Sequence, residues 1–247
     1  MSVAQAGNIV LVSDMTTAHN AAPGSIVRGI LEVRNTGDEA ESLSLSLRDF
    51  ATRAPDTRDV MDTGTTDRSM GSWLSMEQDA LTIPPGQLRS IPYQIQVPED
   101  LDLEGTYWTI LMLEEGSTPT VATANGLSLM QRSRIATRVL VNVDGGSRVV
   151  TFTASGLERQ GESTLFYTDI ENTGTTALPL APKLELYDQQ GHKQATYRSQ
   201  QATLYPGSSW RYSIDLTAAP PGDYTAILIA DGGAGALFGA RHPVHLD

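Results

Sequence analysis

The chain repeats itself. "GSIVRGILEVRNTGDEAESLSLSLRDF" returns in outline as "GESTLFYTDIENTGTTALPLAPKLELYD". Each copy holds an alternating run, an Asn-Thr-Gly turn and a second alternating run. Asn35 and Asn172 mark the same place in the two copies, 137 residues apart (172 − 35). Further on, "IPPGQLRSIPYQIQVPEDLDLEGTYWTILMLEEG" returns as "LYPGSSWRYSIDLTAAPPGDYTAILIADGG". Here Gly86 answers to Gly207 and Tyr107 to Tyr224, and the offset falls to 117 (224 − 107). The first copy therefore carries about twenty extra residues between its halves, within "ATRAPDTRDVMDTGTTDRSMGSW", Ala51 to Trp73. A chain built twice from the same plan folds as two domains of one kind.

The plan is a β plan. Short runs rich in Val, Ile, Leu, Thr and Tyr are punctuated by Gly, Pro, Asn and Asp, as in "GNIVLVS", "SLSLSLRDF" and "SIPYQIQVP". Such runs at close spacing specify antiparallel sandwiches. Asn and Gly tolerate left-handed backbone angles, so Asn-Thr-Gly is read as a turn. Pro-Gly ends one strand and starts the next. Gly-x-Tyr sets a tyrosine early in a strand at a sandwich corner, its ring buried and its hydroxyl bonded to backbone. The expected fold is all-β, with two tandem immunoglobulin-like (fibronectin III-like) β-sandwich domains. They are expected at residues 7–144 and 147–247, with the boundary near Asp144-Gly145-Gly146. The polar insertion Ala51–Gly71 is read as a long loop or mobile hairpin, either solvated or partner-binding.

Composition narrows the function. The formal net charge of −12 argues against general nucleic-acid binding, which needs a basic footprint. Of the 17 basic residues only Lys183 and Lys193 are lysine, so a local cationic patch favours bidentate capture of carboxylates. Cysteine is absent, which excludes disulfides, thiol catalysis and cysteine-ligated metals. No stretch is long and apolar enough to span a membrane as a helix. Ala4-Gln5-Ala6 has the small-x-small pattern of a signal-peptidase site. Residues 1–6 are accordingly expected to be a signal-peptide remnant, with the mature chain starting near Gly7 and exported.

Signals for chemistry are weak. There is no nucleophile elbow, phosphate loop, dinucleotide fingerprint or H-E-x-x-H. His242 and His245 lie three apart in a strand-like end, where such positions face opposite ways, so they are read as surface histidines. "PEDLDLEG", Pro98 to Gly105, lacks the spacing of a calcium loop and is read as a solvated turn. A glycan hydrolase would need a carboxylate pair in a cleft, and no such pair can be picked out. The expectation is a protein that is not an enzyme and has no catalytic, cofactor or metal residues.

Binding is the remaining class. In "LSLMQRSRIATRVLVNVDGG", Ile135, Thr137, Val139, Val141 and Val143 alternate with Arg132, Arg134, Ala136 and Arg138. One face suits a core and the other carries guanidinium groups. As the last strand of the first domain it is read as an edge, whose unpaired N–H and C=O groups can accept a strand from a partner. Its arginines either deter aggregation or bind a carboxylate. The candidate partner-binding residues are Leu127, Leu129, Arg132, Arg134, Ile135 and Arg138.

The first copy resembles the first domain of periplasmic pilus chaperones, which have two immunoglobulin-like domains. "LTIPPGQLRSIPYQI" resembles that family's Pro-Gly segment before a strand, and "NGLSLMQRSRIATRVLV" its last strand of domain one, used for donor-strand complementation. In the family a basic residue of that strand anchors the subunit's C-terminal carboxylate. The resemblance puts Arg134 or Arg132 in that role. "GSWLSMEQDALTIPPGQLRSIPYQIQVPEDLDLEGTYWTILML" is also similar to the N-terminal domain of WxL-interacting cell-surface proteins, through Trp73, Pro85, Gly86, Val97, Pro98, Gly105 and Tyr107. The resemblances imply a periplasmic or cell-surface chaperone-like assembly factor that binds an extended strand of a pilus or surface subunit. The alternative is an envelope interaction module that binds protein or glycan through loops such as Ala51–Gly71.

Overall fold

The computed structural model describes residues 4–116, 120–122, 128–130 and 133–246, with backbone alone at 4–6, 120–122 and 128–130. In chain order the strands are β1 (Ala4–Ala6), β2 (Ile9–Leu11), β3 (Thr16–Asn20), β4 (Ile26–Asn35), β5 (Glu41–Arg53), β6 (Thr57–Asp62), β7 (Leu74–Met76), β8 (Ala80–Ile83), β9 (Leu88–Gln96), β10 (Gly105–Glu115), β11 (Thr120–Ala122), β12 (Ser128–Met130) and β13 (Arg134–Val143). They continue as β14 (Val150–Gln160), β15 (Ser163–Asn172), β16 (Leu178–Leu180), β17 (Lys183–Tyr187), β18 (Lys193–Arg198), β19 (Ala202–Leu204), β20 (Ser209–Asp215), β21 (Gly222–Asp231) and β22 (Leu237–Leu246). The fold is all-β, as the alternating runs require. Two compact units form: Met1–Phe50 with Val60–Asp144, and Ala51–Asp59 with Gly145–Asp247.

In the first unit a sheet of order β1-β2-β4-β9-β7 faces one of order β3-β13-β10-β5-β6, with β8 also on β5. The core lies between them. Leu31, Val33 and Ile91 of the first sheet meet Leu43, Leu45, Leu111, Leu113 and Ile135 of the second. Beside them, Tyr93 and Ile95 meet Tyr107, Val139 and Val141. β10 is buried on both faces from Gly105 to Leu113, which is why it reads as an unbroken apolar run and not as an alternation. Trp108, on its outward side, donates Nε1–H to the Phe50 carbonyl at 3.1 Å. In the second unit, Phe166 and Ile214 of the β14-β15-β20 sheet pack against Leu184, Leu186, Leu228 and Val244 of the β18-β17-β21-β22 sheet.

The repeat has a structural cause that differs from the turn reading. Neither Asn35 nor Asn172 has a left-handed backbone, and both are fully buried. Each makes the same three side-chain bonds. Asn35 Nδ2 donates to the carbonyls of Glu39 (2.7 Å) and Ile83 (2.9 Å), and its Oδ1 accepts from Gly37 N–H (2.8 Å). Asn172 Nδ2 donates to the carbonyls of Thr176 (2.9 Å) and Leu204 (2.9 Å), and its Oδ1 accepts from Gly174 N–H (2.9 Å). The asparagine is thus a clip tying a strand end to two other segments. The glycine two residues on is needed for close approach: a Cβ on Gly174 would lie 2.6 Å from the Ser147 carbonyl oxygen. The left-handed positions belong to the Pro-Gly turns, where Gly86 and Gly207 have φ of 70° and 71°. The tyrosine corner appears in the second unit, where Tyr224 donates its hydroxyl to the Pro220 carbonyl at 2.9 Å. Tyr107 instead stacks on Trp73 at 4.6 Å, under the Arg68 guanidinium.

The insertion is more ordered than its polar composition implies. After the β5–β6 hairpin, residues 63–70 are tied to a fully buried carboxylate, Asp49. That carboxylate accepts from Thr65 N–H (2.9 Å), Thr66 N–H (3.0 Å), the Thr66 hydroxyl (3.3 Å) and the Ser69 hydroxyl (2.6 Å). Met70 then enters the core with no exposed surface. Deleting Ala51–Gly71 would remove that anchor, so such a deletion tests stability as much as binding.

Candidate functional site

The strand that carried the sequence argument is β13. Its alternation is real: Ile135, Thr137, Val139, Val141 and Val143 are buried, while Arg134 is exposed and Ala136 and Arg138 half-buried. Leu127 and Arg132 lie outside the described residues. Leu129 falls in β12, opposite Val121, where only backbone is described. Ile135 lies across from Leu113 and belongs to the core, so its side chain is not offered to a partner.

The edge reading holds for half of the strand. On one side β13 pairs with β10 along its whole length, from Arg134 opposite Glu114 to Val143 opposite Gly105. On the other side β3 runs parallel to it and pairs with Arg138–Asn142. The first bond of that ladder is Arg138 N–H to the Met15 carbonyl at 3.0 Å, and the Thr137 hydroxyl donates to the Asp14 carbonyl at 3.2 Å. Among the described residues no strand pairs with Arg134–Thr137 on that side. Sequence alternation cannot reveal this, because β3 reaches β13 only through the tertiary fold.

Two arginines of β13 share the outward face. Arg138 lies over the Phe50 ring at 5.2 Å. Arg134 Nε sits 3.2 Å from Glu114 Oε1, a partly exposed pair worth little to stability. A third guanidinium joins them from β5. Arg48 of β5 lies opposite Ile110, and Arg138 of β13, two strands away, lies opposite the same residue; Arg48 pairs with Asp62. Arg48, Met112, Glu114, Arg134 and the β6 residues Val60 and Met61 line a groove of about 500 Å³. Sequence alone does not single out Arg48. The only signal for it was its place among the outward positions of "SLSLSLRDF", which says nothing about which strand lies two away. Beside the open edge, burial and the neighbouring Glu41 hold the Glu115 carboxyl above the usual carboxylate range, and it accepts Asn8 N–H at 3.2 Å.

The remaining sequence candidates are placed as follows. Asp100 accepts Asp102 N–H at 2.9 Å within an exposed turn. His242 and His245 sit on opposite faces of β22. His245 is exposed, with Nδ1 2.7 Å from Asp223. His242 is not a surface residue: it packs against Phe166 at 5.7 Å, and its buried Nε2 has no hydrogen-bond partner among the described residues.

His19, on β3, faces the sandwich interior, with Nε2 2.9 Å from the Tyr93 hydroxyl. Tyr93 reaches it because Gly29 lies opposite; a Cβ there would fall 2.1 Å from the ring. Burial lowers the His19 pKa below its ordinary value. Folding then favours the neutral imidazole. The contribution is complete above the unfolded-state pKa of about 6.5 and is lost as pH falls from there through the lower folded value. Thermal melts at about pH 7 and about pH 5 are expected to show a larger drop in Tm for the native chain than for His19→Gln. Equal drops would mean that His19 is not the group responsible.

No protein-family model matches the sequence, and no curated protein matches it. Solved structures do match. A chain from a chaperone–tip adhesin complex of CFA/I fimbriae superposes with a TM-score of 0.53 at 11% identity, over 96% of this chain and 98% of that one. The class 5 fimbriae chaperone CfaA gives 0.51 at 11% identity, over 97% and 100%. The YadV chaperone gives 0.50 at 12% identity, over 96% and 100%. This chain has the pilus-chaperone fold. At this identity the likeness establishes architecture, two immunoglobulin-like sandwiches in one chain; the function of the chaperone fold here has to be argued from its own residues.

Proposed function

We propose that the protein is an exported, non-enzymatic assembly factor that binds an extended strand of a pilus or surface subunit by β-strand addition to β13. The observation that carries this is that, among the described residues, no strand pairs with Arg134–Thr137 on the side away from β10, next to outward-facing arginines. The backbone there can continue the ladder, and a guanidinium can bind a carboxylate of the incoming segment through two parallel hydrogen bonds. The full-length match to fimbrial chaperones, one of them described in complex with a tip adhesin, supports a protein partner and a place in the envelope.

The test is capture of envelope subunits by the purified chain, with Arg134→Ala and Arg134→Glu as variants. Each is expected to weaken capture by roughly 10- to 100-fold, the size of a lost charge-assisted bond. The melting temperature should stay within a few degrees, since among the described residues Arg134 makes one ion pair, itself partly exposed. Undiminished capture by both variants would remove Arg134 from the site.

A further inference from the structure

The backbone of β13 shows which of its amides look towards β3. Arg138 N–H donates to Met15, and the Asn142 carbonyl accepts Ala21 N–H at 3.0 Å. Ser133, whose carbonyl accepts Glu115 N–H, faces β10. Amides alternate in direction along a strand. So Arg134, Ala136, Arg138, Leu140 and Asn142 face one way. Among the described residues the first two find no paired strand, and the last three find β3.

β3 is lightly held. It offers five residue pairs to β13 where β10 offers ten, and none of its side chains is buried. Its interior contacts converge on one residue, Tyr93, which bonds to His19 and to the Thr17 side chain; Asn142 Nδ2 donates to Asn20 Oδ1 at a long 3.4 Å. Its ends stay fixed when it leaves. On one side the Ser13 hydroxyl accepts Glu32 N–H of β4; on the other Gly24 N–H donates to the Pro98 carbonyl (2.8 Å) and the Ser25 carbonyl accepts Val97 N–H (3.0 Å). Peeling β3 away therefore opens a loop between two anchors and uncovers little core.

We propose that β3 is a displaceable strap over the docking edge, and that a partner strand takes its place, extending the edge from Arg134–Thr137 to Arg134–Asn142. This rests on the strand-docking reading. Exchange of one strand for another conserves the backbone bonds, so the balance turns on side chains. The newcomer needs polar groups for Tyr93 where His19 and Thr17 now sit. On its outward face it gains from acidic side chains four residues apart, matching Arg134 and Arg138. The partner that fits is an extended, alternating segment with that pattern.

Two measurements test this. In the free protein, amide exchange followed by NMR should be at least about tenfold faster at Arg138, Leu140 and Asn142 than at Thr137, Val139 and Val141, which face β10. Equal protection of the two sets would overturn the strap. The chain has no cysteine, so Asn20→Cys with Asn142→Cys can be made without competing thiols; the two side chains already face each other. The probe is a nine-residue peptide with glutamate at its first and fifth positions and valine or threonine elsewhere. Reduced double mutant should bind it at least about tenfold more tightly than the oxidised form, with melting temperatures confirming that both are folded. Equal binding by the two forms would overturn displacement. Binding by neither would overturn the docking reading on which displacement rests, while the exchange data would still decide whether β3 opens.

Discussion

Asn172→Asp is expected to destabilise the second unit by about 4 kcal/mol, and Asn35→Asp the first unit by a similar amount. The substitution is nearly isosteric. It exchanges an amide that donates to two carbonyl oxygens for a group with no hydrogen to offer them when ionised. At Asn172 those oxygens belong to Thr176 and Leu204, each 2.9 Å away in a fully buried site. Alanine leaves the same carbonyls unpaired without adding charge, so Asn172→Ala should cost less, about 2–3 kcal/mol. The order Asp worse than Ala is the discriminating result. Urea unfolding of these three variants and of Asn35→Ala would read it, each transition being assigned to its unit by tryptophan fluorescence. Ala worse than Asp would mean that the asparagine serves as packing and that the hydrogen-bonded clip is secondary. Typical domain stabilities are about 5–15 kcal/mol, so the aspartate variants are expected to be near the limit of folding.

Asp49→Ala is expected to cost the first unit about 3–5 kcal/mol. Its carboxylate is fully buried and takes four donors from a stretch of five residues, Thr65 to Ser69. Removing it leaves those donors without an acceptor and frees the segment that runs beside β10. Trp108 N–H donates to the Arg68 carbonyl, and Met70 N–H to the Trp108 carbonyl, both at 3.1 Å. Loss of the anchor should therefore also loosen the Trp108 environment, visible as a weaker near-ultraviolet circular dichroism signal. Asp49→Asn should lie between the two, since one oxygen still accepts while the new amide faces N–H groups. A cost below about 1 kcal/mol for alanine would show that residues 63–70 are held by Met70 alone.

The two clips explain why part of the fold was legible and part was not. The repeat, the alternating runs and the Pro-Gly turns are local patterns. A strand with one face in a core must alternate, and a left-handed turn position must favour glycine. From those features the sequence determined two like sandwiches, a buried face on β13 containing Ile135, Val139 and Val141, and an outward face bearing Arg134 and Arg138. It also flagged Asn35 and Asn172 as equivalent, though for the wrong local reason. Their role lies in bonds to residues 48 and 32 positions away, and no window of sequence displays those.

Tertiary structure alone decided the rest. It brought Arg48 beside the β13 arginines by placing β10 between β5 and β13. It gave the insertion an anchor, because one carboxylate in β5 meets a run of hydroxyls and amides from residues 65–69. It also divided the edge of β13, laying β3 over Arg138–Asn142 and, among the described residues, pairing no strand with Arg134–Thr137 on that side. Alternation states which way a side chain points; which strand lies next in the sheet depends on hydrogen bonds between segments more than a hundred residues apart.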